Sequence, residues 1–156
     1  VRAVERDQAR ILQEVVARRE ELEVLLDYRE IVECGAARLA AQRHGSEELA
    51  AMERAQEEMG QAADLRQARL ADTAFHLALA TAAGNDLLAS AIEETRVLMF
   101  DPVDQLGFDF ALNHSLEGHE SVLAAVRDRD PDAAERAMRA HIRTTRADLD
   151  GIVEQF

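Results

Sequence analysis

Residues 71–85 read ADTAFHLALATAAGN and place an aspartate and a histidine inside an otherwise apolar run. Asp72 and His76 are four residues apart, so on a helix both side chains project from one face. Alanine, leucine and phenylalanine surround them at helical spacing, which predicts a helix buried on most sides. A buried carboxylate needs a cation, a metal ion or a hydrogen-bond donor. The pair therefore predicts a metal site or, in the simpler alternative, an exposed aspartate beside a core histidine.

Length and composition predict a single all-α domain. The chain has 156 residues, of which 4% are aromatic, with two prolines and seven glycines. This length supports one hydrophobic core, and the scarcity of strand formers is typical of helical proteins. We therefore expect an antiparallel bundle of about six or seven helices.

Charge and cysteine content narrow the function further. A formal charge of −13 argues against a nucleic-acid surface within these residues, because phosphate contacts need clustered arginine or lysine. Cys34 is the single cysteine, which predicts a reduced core residue in the cytoplasm. No apolar run approaches the ~18 residues of a membrane span, so we expect no membrane contact. The chain begins at Val1 without methionine, and we expect it to be a fragment of something longer.

Capping signals divide the first part of the chain into helices. An amphipathic stripe predicts a helix over residues 3–25, and a second helical pattern runs from about residue 26 to a stop at residues 44–45. Ile31 and Cys34 are predicted to pack within this second helix. Ser46 and the glutamates after it predict the start of a helix to about residue 60.

The later helices have equally clear signals. Asp64 is predicted to cap the central helix, and Asn85 to cap the helix that follows it. Asp101 and Pro102 are predicted to interrupt the chain, and Asp130 to cap the last helix. The predicted helices after the central one span residues 86 to about 100, 108 to about 129 and 131 to about 154.

Further histidines lie on these later helices. His119 and His141 each fall on an apolar stripe, so a bundle can bring both to His76. His114 lies five residues before His119 and shares its side of the helix imperfectly. We therefore leave His114 out of the predicted site.

The histidine pattern carries a family resemblance. Asp72, His76, His119 and His141, together with the wording of residues 75–85, resemble the ligand-binding C-terminal domain of FadR-type regulators in the GntR family. The stretch HESVLAAVRDRDPDAAERAMRAH, which ends at His141, resembles that family almost throughout, as does the stretch YRE with AARLAA upstream. The resemblance covers roughly residues 25–150.

The resemblance implies a metal site in a helical bundle. It implies that Asp72, His76, His119 and His141 hold a divalent ion in the central cavity. One carboxylate and three neutral imidazoles suit zinc, which we expect first, or nickel, manganese or iron. An ion with further open positions would also take water or an anionic oxygen, so we expect a small carboxylate effector.

Three residues are candidates for the effector site. Arg29 resembles the family's effector-side arginine and would clamp a carboxylate, with a surface arginine as the alternative. Arg96 is a second candidate, although such an arginine is more often solvated or salt-bridged. Asn85 is first a helix cap and joins the pocket only by resemblance.

The predicted function is that of a sensory domain without enzymatic activity. We expect residues 25–156 to form the effector-binding domain of a homodimeric transcription regulator, and residues 1–24 to be a connector or packing helix. DNA would be bound only through an N-terminal domain outside this chain. The alternatives are a metal-dependent enzyme, which the broken HExxH pattern at His119 disfavours, and a structural or dimerisation bundle without metal.

Overall fold

The computed structural model describes residues 9–10, 13–14, 16–104 and 112–154, and six helices account for most of them. In chain order they are α1 (Arg19–Arg43), α2 (Ser46–Gly60), α3 (Leu65–Ala82), α4 (Asp86–Asp104), α5 (Leu112–Arg127) and α6 (Pro131–Glu154). No strand occurs in these described residues. The predicted all-α class is confirmed.

Helix α1 is central to the bundle, since it packs against α3, α4, α5 and α6. Its buried side carries alanines at positions 36, 37, 40 and 41, whose small side chains let neighbouring helices approach closely. The same side also buries Arg29 and Glu33. Charged residues in a helical core need partners. Arg29 and Glu33 pair with each other, and α3 and α4 add contacts from His76 and Met99.

Several predicted helix ends are confirmed by hydrogen bonds. The side chain of Asp64 accepts from the backbone N–H of Gln67 at 2.8 Å, and the side chain of Asp130 accepts from that of Ala133 at 2.9 Å. Gly84 adopts a left-handed conformation with φ of 67° after α3, which suits a glycine that ends a helix. These helix ends could be predicted from the sequence because each depends only on residues a few positions apart.

Two predicted helix breaks are wrong. Helix α1 runs through residues 25 and 26 without interruption, because this stretch contains no glycine, proline or competing cap. Helix α4 continues past Pro102 to Asp104. Pro102 cannot donate to the carbonyl of Leu98, and Leu98 lies on the exposed side of the helix, where it is 42% exposed.

Two smaller predictions also need correction. Ser46 is the first residue of α2 rather than its cap, and the side chain of Glu48 instead accepts from the backbone N–H of Gly45 at 2.9 Å. Ile31 is 76% exposed rather than packed, whereas Cys34 is buried as predicted. Residues 108–111, the predicted start of the helix that corresponds to α5, lie outside the described residues.

Candidate metal centre

The four predicted metal ligands meet in the interior of the bundle. Asp72 and His76 come from α3, His119 from α5 and His141 from α6. Each of them is at most 3% exposed. The spacing of four residues on α3 places its two ligands on one face, and the packing of α5 and α6 supplies the other two.

The donor atoms of this cluster lie close together. Nε2 of His76 is 3.2 Å from Nε2 of His119 and 3.4 Å from Nε2 of His141. Oδ1 of Asp72 is 3.3 Å from Nε2 of His119 and 4.0 Å from Nε2 of His76. Among the described residues, the donor atoms of the three histidines all lie within 4.8 Å of one another. Asp72 is not part of that set, although its Oδ1 lies next to two of the three.

This donor set fits a divalent transition metal. Neutral imidazole nitrogens that face one another with free lone pairs repel unless a cation lies between them. Bonds of ~2.1 Å at tetrahedral angles separate two ligand nitrogens by about 3.4 Å. The distances of 3.2 and 3.4 Å between the Nε2 atoms are close to that value.

Packing orients two of the imidazole rings. The ring of Phe75 stacks on that of His119 with 4.0 Å between centroids and 7° between planes. A Cβ atom placed on Gly118 would lie 2.5 Å from Nδ1 of His141, so any larger residue at position 118 would push against that ring. Sequence reasoning missed Gly118, and its signal is a glycine inside a helix directly before a ligand histidine.

Sequence reasoning also missed Glu33, which is fully buried beside the cluster. Its Oε2 contacts Nδ1 of His76, and its Oε1 pairs with Nε of Arg29. The signal was available in the sequence, because Arg29 and Glu33 stand four residues apart on the buried side of α1. Residues four apart on a helix are neighbours, so this spacing predicts an ion pair between Arg29 and Glu33.

The two predicted effector-site arginines both border the cluster. Arg96 is buried, and its Nη2 pairs with Oδ2 of Asp72 while its Nε donates to the Thr73 hydroxyl at 3.2 Å. Its Nη1 is buried and has no hydrogen-bond partner among the described residues. Nη2 of Arg29 lies 3.5 Å from Nε2 of His76. Neither arginine is a surface residue.

The ring of Phe100 lies among three arginines next to the cluster. The guanidinium carbons of Arg69, Arg96 and Arg29 lie 4.1, 4.9 and 5.5 Å from the centre of the Phe100 ring. Cations are attracted to the face of such a ring. The arrangement concentrates positive charge beside the four ligands.

Both buried carboxyl groups favour the ionised form. Burial opposes ionisation of Asp72, but the guanidinium of Arg96 and neighbouring groups hold the pKa of that carboxyl well below its usual range. Burial also opposes ionisation of Glu33, and the charge of Arg29 nevertheless lowers its pKa below the usual range. Asp72 is therefore available as an anionic ligand.

Two of the imidazoles favour the neutral form that binds metals. Burial lowers the pKa of His76 to about 4, against the opposing effect of Glu33. Burial, reinforced by the adjacent His119, holds the pKa of His141 well below its usual value. Ligand histidines must be neutral to bind a metal, so both rings are in the required state at neutral pH.

Other singled-out residues lie outside the cluster. Asn85 is exposed, and its side-chain oxygen accepts from the backbone N–H groups of Leu87 and Leu88 at 3.0 and 3.4 Å. His114 is exposed and lies 3.1 Å from the Asp148 carboxylate. The structure thus brings together every predicted site residue except Asn85. None of the helices among the described residues has the length and apolar character needed to cross a membrane.

Comparisons with known proteins identify the family to which the chain belongs. Residues 20–144 match the model of the FCD domain. The chain is 30% identical over 148 residues to the HTH-type transcriptional regulator LutR of Bacillus subtilis. The alignment covers 90% of this chain and 68% of that protein. It is 32% identical over 146 residues to the Glc operon transcriptional activator of Escherichia coli K12, with 82% and 55% coverage.

Other relatives agree with these. The HTH-type transcriptional repressor NanR of Klebsiella aerogenes is 29% identical over 119 residues, with 74% of this chain and 46% of that protein covered. The chain thus spans about half the length of NanR and of the Glc operon activator. The relatives named are transcription regulators rather than enzymes, as the sequence predicted.

Solved structures show the same fold. A GntR protein of Streptococcus agalactiae superposes with a TM-score of 0.66 at 28% identity, with 81% of this chain and 58% of that chain covered. E. coli McbR/YncC superposes with a TM-score of 0.73 at 21% identity, covering 88% and 70%. The chain therefore belongs to the FCD domain family of GntR-type transcription regulators.

Proposed function

We propose that this chain senses its effector through a divalent metal ion held by Asp72, His76, His119 and His141, and that a small carboxylate binds beside the ion. As an FCD domain of a GntR-type regulator, the chain is an effector-sensing regulatory domain. The observation that supports the metal is the convergence of the three buried histidines, whose donor nitrogens lie within 4.8 Å of one another, with Oδ1 of Asp72 at 3.3 and 4.0 Å from two of them. Zinc suits this donor set best, with nickel, manganese and iron as alternatives.

The charge balance supports an anionic effector. Asp72 and Glu33 contribute two negative charges to the buried cluster, and Arg29 and Arg96 contribute two positive charges. Arg69, whose side chain is 12% exposed, also pairs with Oδ2 of Asp72 at 3.4 Å. A divalent ion would therefore leave at least two net positive charges in a low-dielectric interior, which is costly without a counter-ion. A carboxylate that ligates the ion would supply that charge.

The free donor of Arg96 supports the position of that carboxylate. Its Nη1 has no hydrogen-bond partner within the described part of the chain, although the rest of the guanidinium pairs with Asp72 and Thr73. A carboxylate oxygen that accepts from Nη1 would satisfy this buried donor. Arg29 would provide a second cation on the same side, and Asn85 stays a weaker candidate because it caps α4 at the surface.

Signal transmission would pass through α1. This helix contributes Arg29 and Glu33 to the cluster and begins at Arg19, on the N-terminal side of the domain. We propose that residues 25–156 form the sensory domain of a homodimer and residues 1–24 the connector. The connector would lead to an N-terminal DNA-binding domain outside this chain. The effector would act by population shift, so it must bind two states of the bundle with unequal affinity.

A thermal-shift screen tests the effector part of this proposal. Small mono- and dicarboxylates would be added to the zinc-loaded protein and to His119→Ala, which lacks one ligand. We expect at least one acid to raise the Tm of the loaded parent and not that of the variant. Equal shifts in both proteins would contradict a carboxylate bound at the ion. No shift with any acid would contradict a carboxylate effector.

A further inference from the structure

Glu33 is a fully buried carboxylate that does not belong to the proposed ligand set. It is fully enclosed, and its Oε2 contacts Nδ1 of His76 on the side of the ring opposite Nε2. Nε2 is the atom that faces His119 and His141 at 3.2 and 3.4 Å. A carboxylate can only accept, so the nitrogen that it contacts must carry the proton. The lone pair is then on Nε2, which also lies 3.5 Å from Nη2 of Arg29.

We propose that Glu33 is a positioning residue of the metal centre: it holds the Nδ1–H of His76 and thereby presents Nε2 to the ion. This inference rests on the proposed metal site. A carboxylate behind a ligand histidine fixes the ring orientation and makes the imidazole more basic. His76 takes part in both of the Nε2–Nε2 contacts below 3.5 Å, so its orientation decides whether the donors converge.

The three ligand histidines differ in what supports them. Nδ1 is buried without a hydrogen bond of ordinary geometry in all three rings, but among the described residues only Nδ1 of His76 contacts a carboxylate oxygen, Oε2 of Glu33. The rings of His119 and His141 are held by packing, His119 by the Phe75 ring and His141 by its close approach to Gly118. Within the described part of the chain, a carboxylate contact at Nδ1 is thus specific to His76, since Asp72 meets His119 at Nε2.

Arg29 keeps Glu33 in place for this role. Its Nε pairs with Oε1 of Glu33, which leaves Oε2 for His76. A single buried carboxylate without such a cation would be strongly unfavourable. A chain of contacts from Arg29 through Glu33 to His76 therefore links α1 to the proposed ion.

Metal affinity tests the proposal directly. Zinc affinity would be measured by competition with a chromophoric chelator in the parent chain and in Glu33→Gln, which keeps the shape but removes the charge. We expect a loss of about 10- to 100-fold, the usual effect of removing such a partner. Glu30→Gln is the matched control on the same helix, because Glu30 pairs with Arg139 and Arg143 near the surface. Its affinity should equal that of the parent.

A mutant cycle shows whether the effect passes through His76. In a His76→Ala background, Glu33→Gln should change zinc affinity by less than about 3-fold, because the group that Glu33 positions is gone. An undiminished loss in that background would overturn the positioning role. Glu33→Gln leaves Arg29 buried without its carboxylate partner, which could prevent folding. The double variant Arg29→Met with Glu33→Gln removes both charges and controls for that effect. It should show the same loss as Glu33→Gln alone.

The parent protein provides a readout that needs no variant. Nitrogen-15 NMR of the histidine rings in the zinc-loaded chain should show His76 protonated at Nδ1 and coordinated through Nε2. Coordination through Nδ1 would overturn the inference. The two proposals fail differently: a parent that takes up no metal overturns the metal site and the role of Glu33 together. If the parent binds zinc and Glu33→Gln binds it with the same affinity, only the role of Glu33 is overturned.

Discussion

Nε2 of His76 on α3 lies 3.2 Å from Nε2 of His119 on α5, with both rings fully buried. Two neutral acceptors at this distance have no proton to share if Nδ1 carries the hydrogen in each ring. A bound cation would turn this repulsion into attraction. The relationship leads to predictions about metal, pH and packing.

Metal should stabilise the folded chain. An ion at a free concentration of 100 times its Kd adds about 2.7 kcal/mol to the free energy of unfolding, which raises the Tm by about 5 to 10 °C for a domain of this size. Differential scanning calorimetry of the parent with zinc and with excess chelator measures this difference. His119→Ala should show no zinc-dependent shift, and a shift as large as that of the parent would place the ion elsewhere.

The metal-free protein should lose stability in mild acid. The pKa of His76 is lowered to about 4 by burial, whereas an unfolded histidine titrates near ~6.5. Since the unfolded chain binds the proton first, the contribution of His76 is complete above pH ~6.5 and declines as the pH falls towards the folded value. Urea unfolding from pH 7 to 4.5 should show this decline, and His76→Gln should show a shallower one. Identical slopes in both would rule out His76 as the source.

Gly118 should be required for the position of His141. In Gly118→Ala the new Cβ would lie 2.5 Å from Nδ1 of His141. Overpacking of this kind costs about 1–3 kcal/mol, and we also expect weaker zinc binding because the ring must move. Gly35→Ala is the matched control, since a Cβ there would contact nothing within 4 Å. That variant should gain about 0.5–1 kcal/mol from helix propensity. Parent-like zinc affinity in Gly118→Ala would contradict the prediction.

Asn85 should matter for stability and not for metal. Its side-chain oxygen caps α4, and loss of such a cap costs about 0.5–2 kcal/mol. We expect Asn85→Ala to lower the free energy of unfolding by this amount and to leave zinc affinity unchanged. If an effector acid is found, its affinity for this variant decides whether Asn85 also belongs to the pocket.

The sequence predicted those features that depend on local spacing. Asp72 and His76 stand out because polar residues four apart interrupt an apolar run, and the family wording added His119 and His141. Helix caps such as Asp64 were predictable for the same reason, since each cap acts on its own first turn.

Features that depend on tertiary packing were not predicted. Glu33 looks like any helical glutamate until α3 packs against α1 and brings His76 to it. The role of Gly118 needs the position of α6, which no local pattern contains. Pro102 was expected to end α4, yet the helix continues beyond it to Asp104, and the residue whose carbonyl loses its donor, Leu98, is exposed.

The measurement that tests the central claim most directly is the metal content of the chain by inductively coupled plasma mass spectrometry. The protein would be purified without an affinity-metal step, beside His119→Ala. The account predicts about one equivalent of a divalent transition metal per chain in the parent, as one four-ligand site allows, and its loss in the variant. A parent that is metal-free as purified and does not take up added zinc, nickel or manganese would contradict it.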